Sequence, residues 1–373
     1  MDTRHLYVHV PFCARRCSYC DFAIAVRRRV PASEFVAAIS REIDLRLPGG
    51  APAGSLETLY LGGGTPSRLG PEGVARLIDA ILGRFGLSSG AEVTIEANPE
   101  DVDAASAAAW KRAGVTRISL GVQSFDDRAL RWMHRTHDAT RALAAVHALR
   151  DAGFEDWSLD LIFALPREVE RSWSRDLDQA LALDPPHVSC YGLTVEPHTP
   201  LRRWRERGVV HEADEERYEA DFLEAHRRLT AAGLIHYEVS NYALPGRTAR
   251  HNSAYWRRVP YLGFGPSAHS FDGNERRWNE REYAAWLSRV EAGEDPVGGR
   301  EQLPAAAVEL EEAYLGLRTS SGVAVQPGTG LLFRQWSDHG WATVVDGVGM
   351  LTPAGWLRLD ALAGALTSVR SRY

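Results

Sequence analysis

Cysteine is scarce here: 373 residues carry only four, three of them within eight residues, which does not suggest the disulfide framework of a secreted protein. No apolar run approaches the roughly 18–20 residues a membrane-crossing helix needs. A signal peptide is also missing, because a strand-like segment starts almost at once, and a cytoplasmic location is the expectation. Neither sign of charge dominates. The 43 basic and 49 acidic residues give a net charge of −6, so no broad basic surface advertises nucleic acid or anionic membrane as a partner. Only Arg15 and Arg16, then Arg27, Arg28 and Arg29, form local basic clusters, each open to solvent or to an anionic cofactor or partner. With 45% hydrophobic and 25% charged residues, the chain has the composition of a globular protein with one large domain and a smaller one.

What is present is concentrated near the start. In YVHVPFCARRCSYCDF, Cys13, Cys17 and Cys20 are spaced C-x3-C-x2-C just after an alternating run, Leu6, Val8 and Val10, that reads as a strand entering a core. A structural zinc site wants four ligands, usually from two separated pairs, so a lone triplet leaves zinc short unless a histidine completes it. A disulfide leaves one thiol over. A four-iron cluster accepts three cysteines and keeps one iron open. This spacing, followed by an aromatic residue, resembles the radical S-adenosylmethionine (SAM) superfamily, which implies a 4Fe-4S cluster whose open iron is chelated by the amino and carboxylate groups of SAM. Cys190, in the apolar run HVSCYGL, reads as a buried small hydrophobe.

Beyond the cysteine loop, strand-like runs at 58–61, 92–96, 117–122, 158–163 and 187–193 alternate with helix-like segments at 72–85, 104–113, 140–152 and 171–183. That alternation predicts parallel β-α units with right-handed crossovers. Counting the first strand gives six. The fold class is α/β, and six units resemble the partial six-stranded (β/α)6 radical SAM barrel rather than an eight-fold one.

Ligands gather at the carboxyl ends of strands in such folds, and here those ends are chemically dense. The second ends in Gly62-Gly63-Gly64-Thr65-Pro66, where missing Cβ atoms let backbone approach a ligand. Glu96 in IEANPE, Gln123 in LGVQSF and Asp160 in LDLIF are polar residues in or just after apolar strands, a costly placement unless each is a cap, a turn group or a ligand contact. The resemblance implies that Gly63, Gly64 and Thr65 receive the SAM amino group and that Glu96 and Gln123, with Asp160, meet its ribose and neighbouring groups. It places Arg135, in the helix-like WMHRTHD stretch, near the SAM carboxylate, and Tyr7 and Tyr19 beside the adenosine.

The alternation stops after residue 193. A turn-rich link, an amphipathic helix at 214–232 and a strand-like run at 236–242 lead to His251-Asn252-Ser253-Ala254-Tyr255-Trp256 and then YLGFGPSAHS. Histidine among aromatics and glycine-rich backbone suits a flat-ligand pocket with an axial nitrogen for haem iron; a structural hydrogen bond is the commoner use of such a histidine. The combination of the cysteine motif with GGGTP, IEANPE, GVQSF, YEVSNYA and HN-x2-YW resembles the HemW family of haem chaperones, relatives of oxygen-independent coproporphyrinogen III oxidase. This resemblance implies haem contact by His251, with Tyr255 and Trp256 shaping the site, and transfer to an acceptor haem protein such as a membrane respiratory one. His236 and His269 lie nearby and compete for the role.

Two departures weaken the alternative, an oxidase that decarboxylates coproporphyrinogen. Phe22 stands where the oxidase has a fourth cysteine, and only twelve residues precede Cys13. The divisions expected are 1–210 for the cluster-bearing partial barrel, 211–300 for an extension carrying HN-x2-YW, and 301–373 for a small domain. In the last, two helices, a hairpin and a helix resemble the family's winged-helix-like C-terminal domain. That domain is not strongly basic, so docking or covering the barrel mouth is preferred to DNA binding. A zinc-stabilised interaction protein is the third reading.

Overall fold

The computed structural model describes residues 3–50 and 54–370. It opens with β1 (His5–Val10), and the two-residue strands β2 (Phe12–Cys13) and β3 (Ala25–Val26) then pair in parallel to bracket the cysteine loop, ahead of α1 (Ala32–Arg46). The units β4 (Ser55–Gly63) and α2 (Gly70–Leu82), β5 (Gly86–Ala97) and α3 (Ala104–Arg112) follow. Next come β6 (Arg117–Gln123) with α4 (Asp127–Trp132) and α5 (Ala139–Asp151), β7 (Asp156–Phe163) with α6 (Trp173–Leu181), and β8 (His187–Gly192). Several helices start at side-chain acceptors: Asp103, Asp126, Asp138 and Ser172 each take a backbone N–H of the first turn, and Asp103 forms a reciprocal capping box with Ser106.

The six expected strands lie side by side and parallel, in the order β1-β4-β5-β6-β7-β8. One face carries Leu6, Val8, Leu59, Leu61, Val93, Ile95, Ile118, Leu120, Leu159, Leu161 and Val188, all buried in the hydrophobic core. Strand alternation sends every second residue to the opposite face, and there the rows are polar. His5, Thr58 and Glu92 are in register, as are Tyr7, Tyr60, Thr94 and Arg117, then Glu96, Ser119, Ser158 and His187, and finally Asp160 with Ser189. Parallel sheets covered on both faces usually read as unbroken apolar runs. A polar inner face persists here because its groups pair with one another: Ser119 Oγ donates to Asp160 Oδ2 at 2.8 Å, and Arg117 pairs with Asp156.

The chain continues through α7 (Pro200–Glu206), α8 (Glu215–Ala231), β9 (Ile235–Glu238), β10 (Asn241–Ala243), α9 (Arg250–Trp256) and β11 (Leu262–Phe264). The expected single strand at 236–242 is instead a hairpin, β9 against β10, because Val239 and Ser240 reverse the chain without the glycine that normally signals a tight turn. The hairpin extends the sheet beyond β8, antiparallel. On the other edge β11 adds a seventh parallel strand beside β1. Three residues set among glycines were too short for a periodic signal. Strands β12 (His269–Phe271), β13 (Glu275–Asn279) and β14 (Val297–Gln302) form a small antiparallel sheet, with α10 (Tyr283–Glu291) between the last two in sequence.

The C-terminal segment comprises α11 (Ala305–Arg318), β15 (Val323–Ala324), α12 (Gly330–Asp338), the hairpin β16 (Ala342–Val345) and β17 (Val348–Leu351), α13 (Pro353–Trp356) and α14 (Leu359–Arg370). Its helix-helix-hairpin-helix order matches the winged-helix-like expectation. Leu317, Phe333, Trp336 and Trp356 join the same continuous core as the large sheet, and the Trp356 ring meets His236 edge-on at 4.3 Å.

Candidate functional site

The cysteine loop leaves the C-terminal end of β1 and is held by its backbone. Ala25 N donates to Pro11 O at 2.7 Å, Arg27 N to Cys13 O at 3.0 Å, Ser18 N to Met133 O at 3.2 Å and Leu201 N to Ser18 O at 2.8 Å. Cys13 is buried while Cys17 and Cys20 are half-buried. Cys13 Sγ lies 3.4 Å from Thr65 Oγ1, and Arg135 Nη1 reaches Cys17 Sγ at 3.5 Å. Burial pushes the Cys20 thiol up to about 11 and raises Cys13, so deprotonating both here requires compensating positive charge. Among the described residues, no three His, Cys, Asp or Glu side chains converge where one ion would sit. A four-iron cluster needs no such convergence, since each cysteine has its own iron.

The loop forms one wall of a cavity of about 420 Å³ at the carboxyl ends of the strands, within the usual size of a small-molecule site. Its lining gathers Cys13, Cys17, Tyr19 and Cys20 with Gly63, Gly64, Thr65, Glu96, Gln123, Arg135 and Asp160, residues spread over 148 positions of sequence from 13 to 160 less one. Gly63 has φ +111°, and a Cβ there would meet the His9 ring at 2.6 Å; a Cβ on Gly64 would meet Pro11 O at 2.6 Å. Gln123 sits at φ +67° where the β6–β7 register shifts, a left-handed conformation uncommon for a non-glycine residue. Arg135 does not lie in a helix as expected, because α4 ends at Trp132 and His134 turns the chain at φ +61°. The turn lets Arg135 Nη2 donate to Gly121 O at 2.8 Å and to Asn98 Oδ1 at 2.5 Å.

Glu96 keeps one side toward the cavity and is otherwise enclosed. Tyr60 OH donates to its Oε1 at 2.7 Å and Gly63 N to its Oε2 at 3.0 Å. Burial, reinforced by the Asp160 charge and opposed by those two hydrogen bonds, moves its pKa up to about 7. Asp160 is likewise raised by burial, and its Oδ1 is buried without a partner.

Four expected contacts are not in the cavity lining. Tyr7 lies deeper on the inner face, its hydroxyl 3.1 Å from His9 Nδ1. His251 and Tyr255 lie in α9, against the amino-terminal half of the sheet; His251 is fully buried, and burial lowers its pKa to about 3. Trp256 ends the same helix beneath Arg318, whose guanidinium carbon is 4.5 Å from the ring centroid.

A model of the radical SAM superfamily matches residues 7–180, the stretch that contains the cavity. Heme chaperone HemW of Synechocystis sp. is 38% identical over 326 residues, 85% of this chain and 78% of that protein. Heme chaperone HemW of Mycobacterium tuberculosis is 38% identical over 321 residues, 85% of this chain and 82% of that one. The chain belongs to the HemW family of radical SAM proteins. Among solved structures, coproporphyrinogen III oxidase (HemN) from Escherichia coli superposes with a TM-score of 0.82 at 22% identity, covering 98% of this chain and 90% of that one, a likeness of fold. Among the described residues no helix is long and apolar enough to cross a membrane.

Radical SAM membership implies SAM and a 4Fe-4S cluster, and the cavity of this HemW-family chain fits both. Three thiols on one wall, a glycine floor that any Cβ would block, and the orphaned Asp160 Oδ1 and Arg135 Nε are groups awaiting a polar ligand. Sequence reasoning passed over Asn98, which bridges Arg135 and Thr65, and Ser119, which holds Asp160. Asn98 stood in the quoted IEANPE motif, so its place two residues after Glu96 was the available signal. Because the fold raises the Glu96 pKa, protonated Glu96 prevails below about 7 and ionisation above it costs the empty protein stability. Only the carboxylate accepts ribose hydroxyls with both oxygens. SAM affinity is therefore expected to rise as pH passes through about 7, and Glu96→Gln to flatten that rise; an unaltered pH profile in the variant contradicts the assignment.

Proposed function

We propose that this chain is a haem chaperone that binds haem, holds a SAM-coordinated 4Fe-4S cluster and transfers haem to an acceptor haem protein. The observation that carries the reading is the 38% identity to heme chaperone HemW over 85% of the chain. Phe22 adds support: it stands 59% exposed at the cavity wall, where the oxidase has a further cysteine. Cys13, Cys17 and Cys20 are assigned to the cluster. Gly63, Gly64, Thr65 and Arg135 are assigned to the amino-acid end of SAM, and Glu96, Gln123, Asp160 and Tyr19 to its nucleoside end. When bound, the reduced cluster and SAM together supply one-electron chemistry. This chain's residues bind and orient: Asn98 fixes the Arg135 guanidinium, and Tyr60 and Gly63 N fix the Glu96 carboxylate.

The test uses anaerobically reconstituted full-length protein. Haem is titrated optically and the loaded protein is mixed with an apo haem protein, a membrane respiratory one first. SAM, a reductant and coproporphyrinogen are then supplied, and deoxyadenosine and decarboxylated product are assayed. Saturable haem binding and transfer without decarboxylation are expected. Decarboxylation coupled to deoxyadenosine would replace this reading with the oxidase.

A further inference from the structure

The histidine of HN-x2-YW has no nitrogen to spare. His251 Nδ1 lies 2.6 Å from Thr58 Oγ1, which also lies 2.9 Å from His5 Nδ1, and His251 Nε2 lies 2.7 Å from Tyr255 OH. Its backbone N–H donates to Glu92 Oε1 at 2.9 Å and that of Arg250 to Oε2 at 2.8 Å, so one carboxylate on β5 pins the first turn of α9 against the sheet. For iron to take Nε2, the Tyr255 hydroxyl would have to be expelled and left unpaired in a buried place.

What this ring touches above it is the nucleoside end of the cavity. Tyr60 stacks on His251 at 5.0 Å and 27°, and Tyr7 stacks on Tyr60 at 6.0 Å and 28° and on His251 at 6.4 Å and 29°. Three nearly parallel rings thus stand under Gly62 and Gly63, and the Tyr60 hydroxyl emerges from them to donate to Glu96 at 2.7 Å. We propose that His251 is a positioning residue of the SAM site rather than an iron ligand: it holds the Tyr60 ring at the angle from which its hydroxyl fixes Glu96. This rests on the assignment of Glu96 to SAM. Trp256, beneath Arg318, whose Nη2 is 2.9 Å from buried Glu238, closes the same floor from the C-terminal side.

The Tyr60 hydrogen bond favours the Glu96 carboxylate, while Asp160 opposes it and the hydroxyls of Tyr7, Tyr191 and Tyr255 stand close enough to couple with it electrostatically. Letting the Tyr60 ring swing away therefore shifts the pH midpoint of SAM binding upward, a change that a merely structural role would not produce. The experiment measures SAM dissociation constants against pH for cluster-loaded full-length protein, with melting temperature and iron content as controls. His251→Asn and Tyr60→Phe are each expected to weaken SAM about 5- to 10-fold, as the loss of one aligned hydrogen bond does, and to raise the midpoint. The double variant should be no weaker than the worse single one, because both changes break the same link. Thr58→Val, which removes the His251 anchor at similar volume, should reproduce the defect if His251→Asn fails to fold. The haem spectrum and haem affinity of all folded variants should match those of the parent. Unchanged SAM affinity, additive losses, or a lost haem spectrum with SAM binding intact would overturn the proposal. Absence of SAM or haem binding by the parent protein would instead reject the reading under Proposed function.

Discussion

Replacing Cys13, Cys17 and Cys20 together with alanine removes the visible absorbance of the reconstituted protein and weakens SAM beyond the roughly 10- to 100-fold typical of losing a supporting outer-shell partner at a metal site. The far-ultraviolet circular dichroism stays close to that of the parent. Both halves of this expectation come from how the loop is held. Its anchors, Ala25 to Pro11, Arg27 to Cys13 O, Ser18 to Met133 and Leu201 to Ser18, are backbone hydrogen bonds that need no thiol. Only the contacts of Cys13 with Thr65 and of Cys17 with Arg135 are lost, and both Thr65 and Arg135 keep Asn98 as a partner. Retained brown colour would refute the ligand assignment, and a collapsed dichroism spectrum would mean that the thiols help to fold the loop.

The second large effect is on stability and lies away from the cavity. Glu42 on α1 is wholly buried, yet its carboxylate accepts four hydrogen bonds: from Arg46 Nη1 at 2.9 Å, Gly265 N at 2.8 Å, Asn279 Nδ2 at 2.6 Å and Trp286 Nε1 at 2.9 Å. One side chain thereby ties α1 to the turn after β11, to β13 and to α10. Removing one partner of a buried ion pair costs about 3–5 kcal/mol, because the remaining charge is left uncompensated. Glu42→Ala strands Arg46, which is 5% exposed, together with the Asn279 amide and the Trp286 indole N–H. The expected loss is therefore about 3–5 kcal/mol, read as a lower denaturation midpoint in guanidinium. Glu42→Gln should cost less, since its carbonyl oxygen still accepts while its amide faces donors. Equal midpoints for Glu42→Ala and the parent would show that the hub contributes nothing.

Glu42 also shows where the sequence misleads. It sits on the apolar stripe of its helix with Phe35, Ala38, Ile39 and Ile43, where a lone carboxylate looks like an error in the pattern rather than the centre of a network. Its partners Gly265, Asn279 and Trp286 lie more than two hundred residues away, so no window of sequence could supply them. Glu96, Gln123 and Asp160 were legible because each interrupts an apolar strand near its carboxyl end, and equivalent strand ends must lie together in a parallel sheet. His251 was legible as special but not in its role. Its motif invited an iron ligand, whereas the fold sets it among Thr58, Tyr60 and Tyr255 with both nitrogens occupied.

By itself the sequence determined the cysteine triplet, the six β-α units and the strand-end residues that line the cavity, because spacing and periodicity are local properties carried by neighbours in the chain. Tertiary structure alone decided the polar rows of the inner face, the seventh parallel strand, the turn that carries Arg135 to Asn98, and the occupation of His251. Each depends on which distant group arrives opposite: 193 residues separate Thr58 from His251, and only the folded sheet brings the threonine hydroxyl within 2.6 Å of the ring.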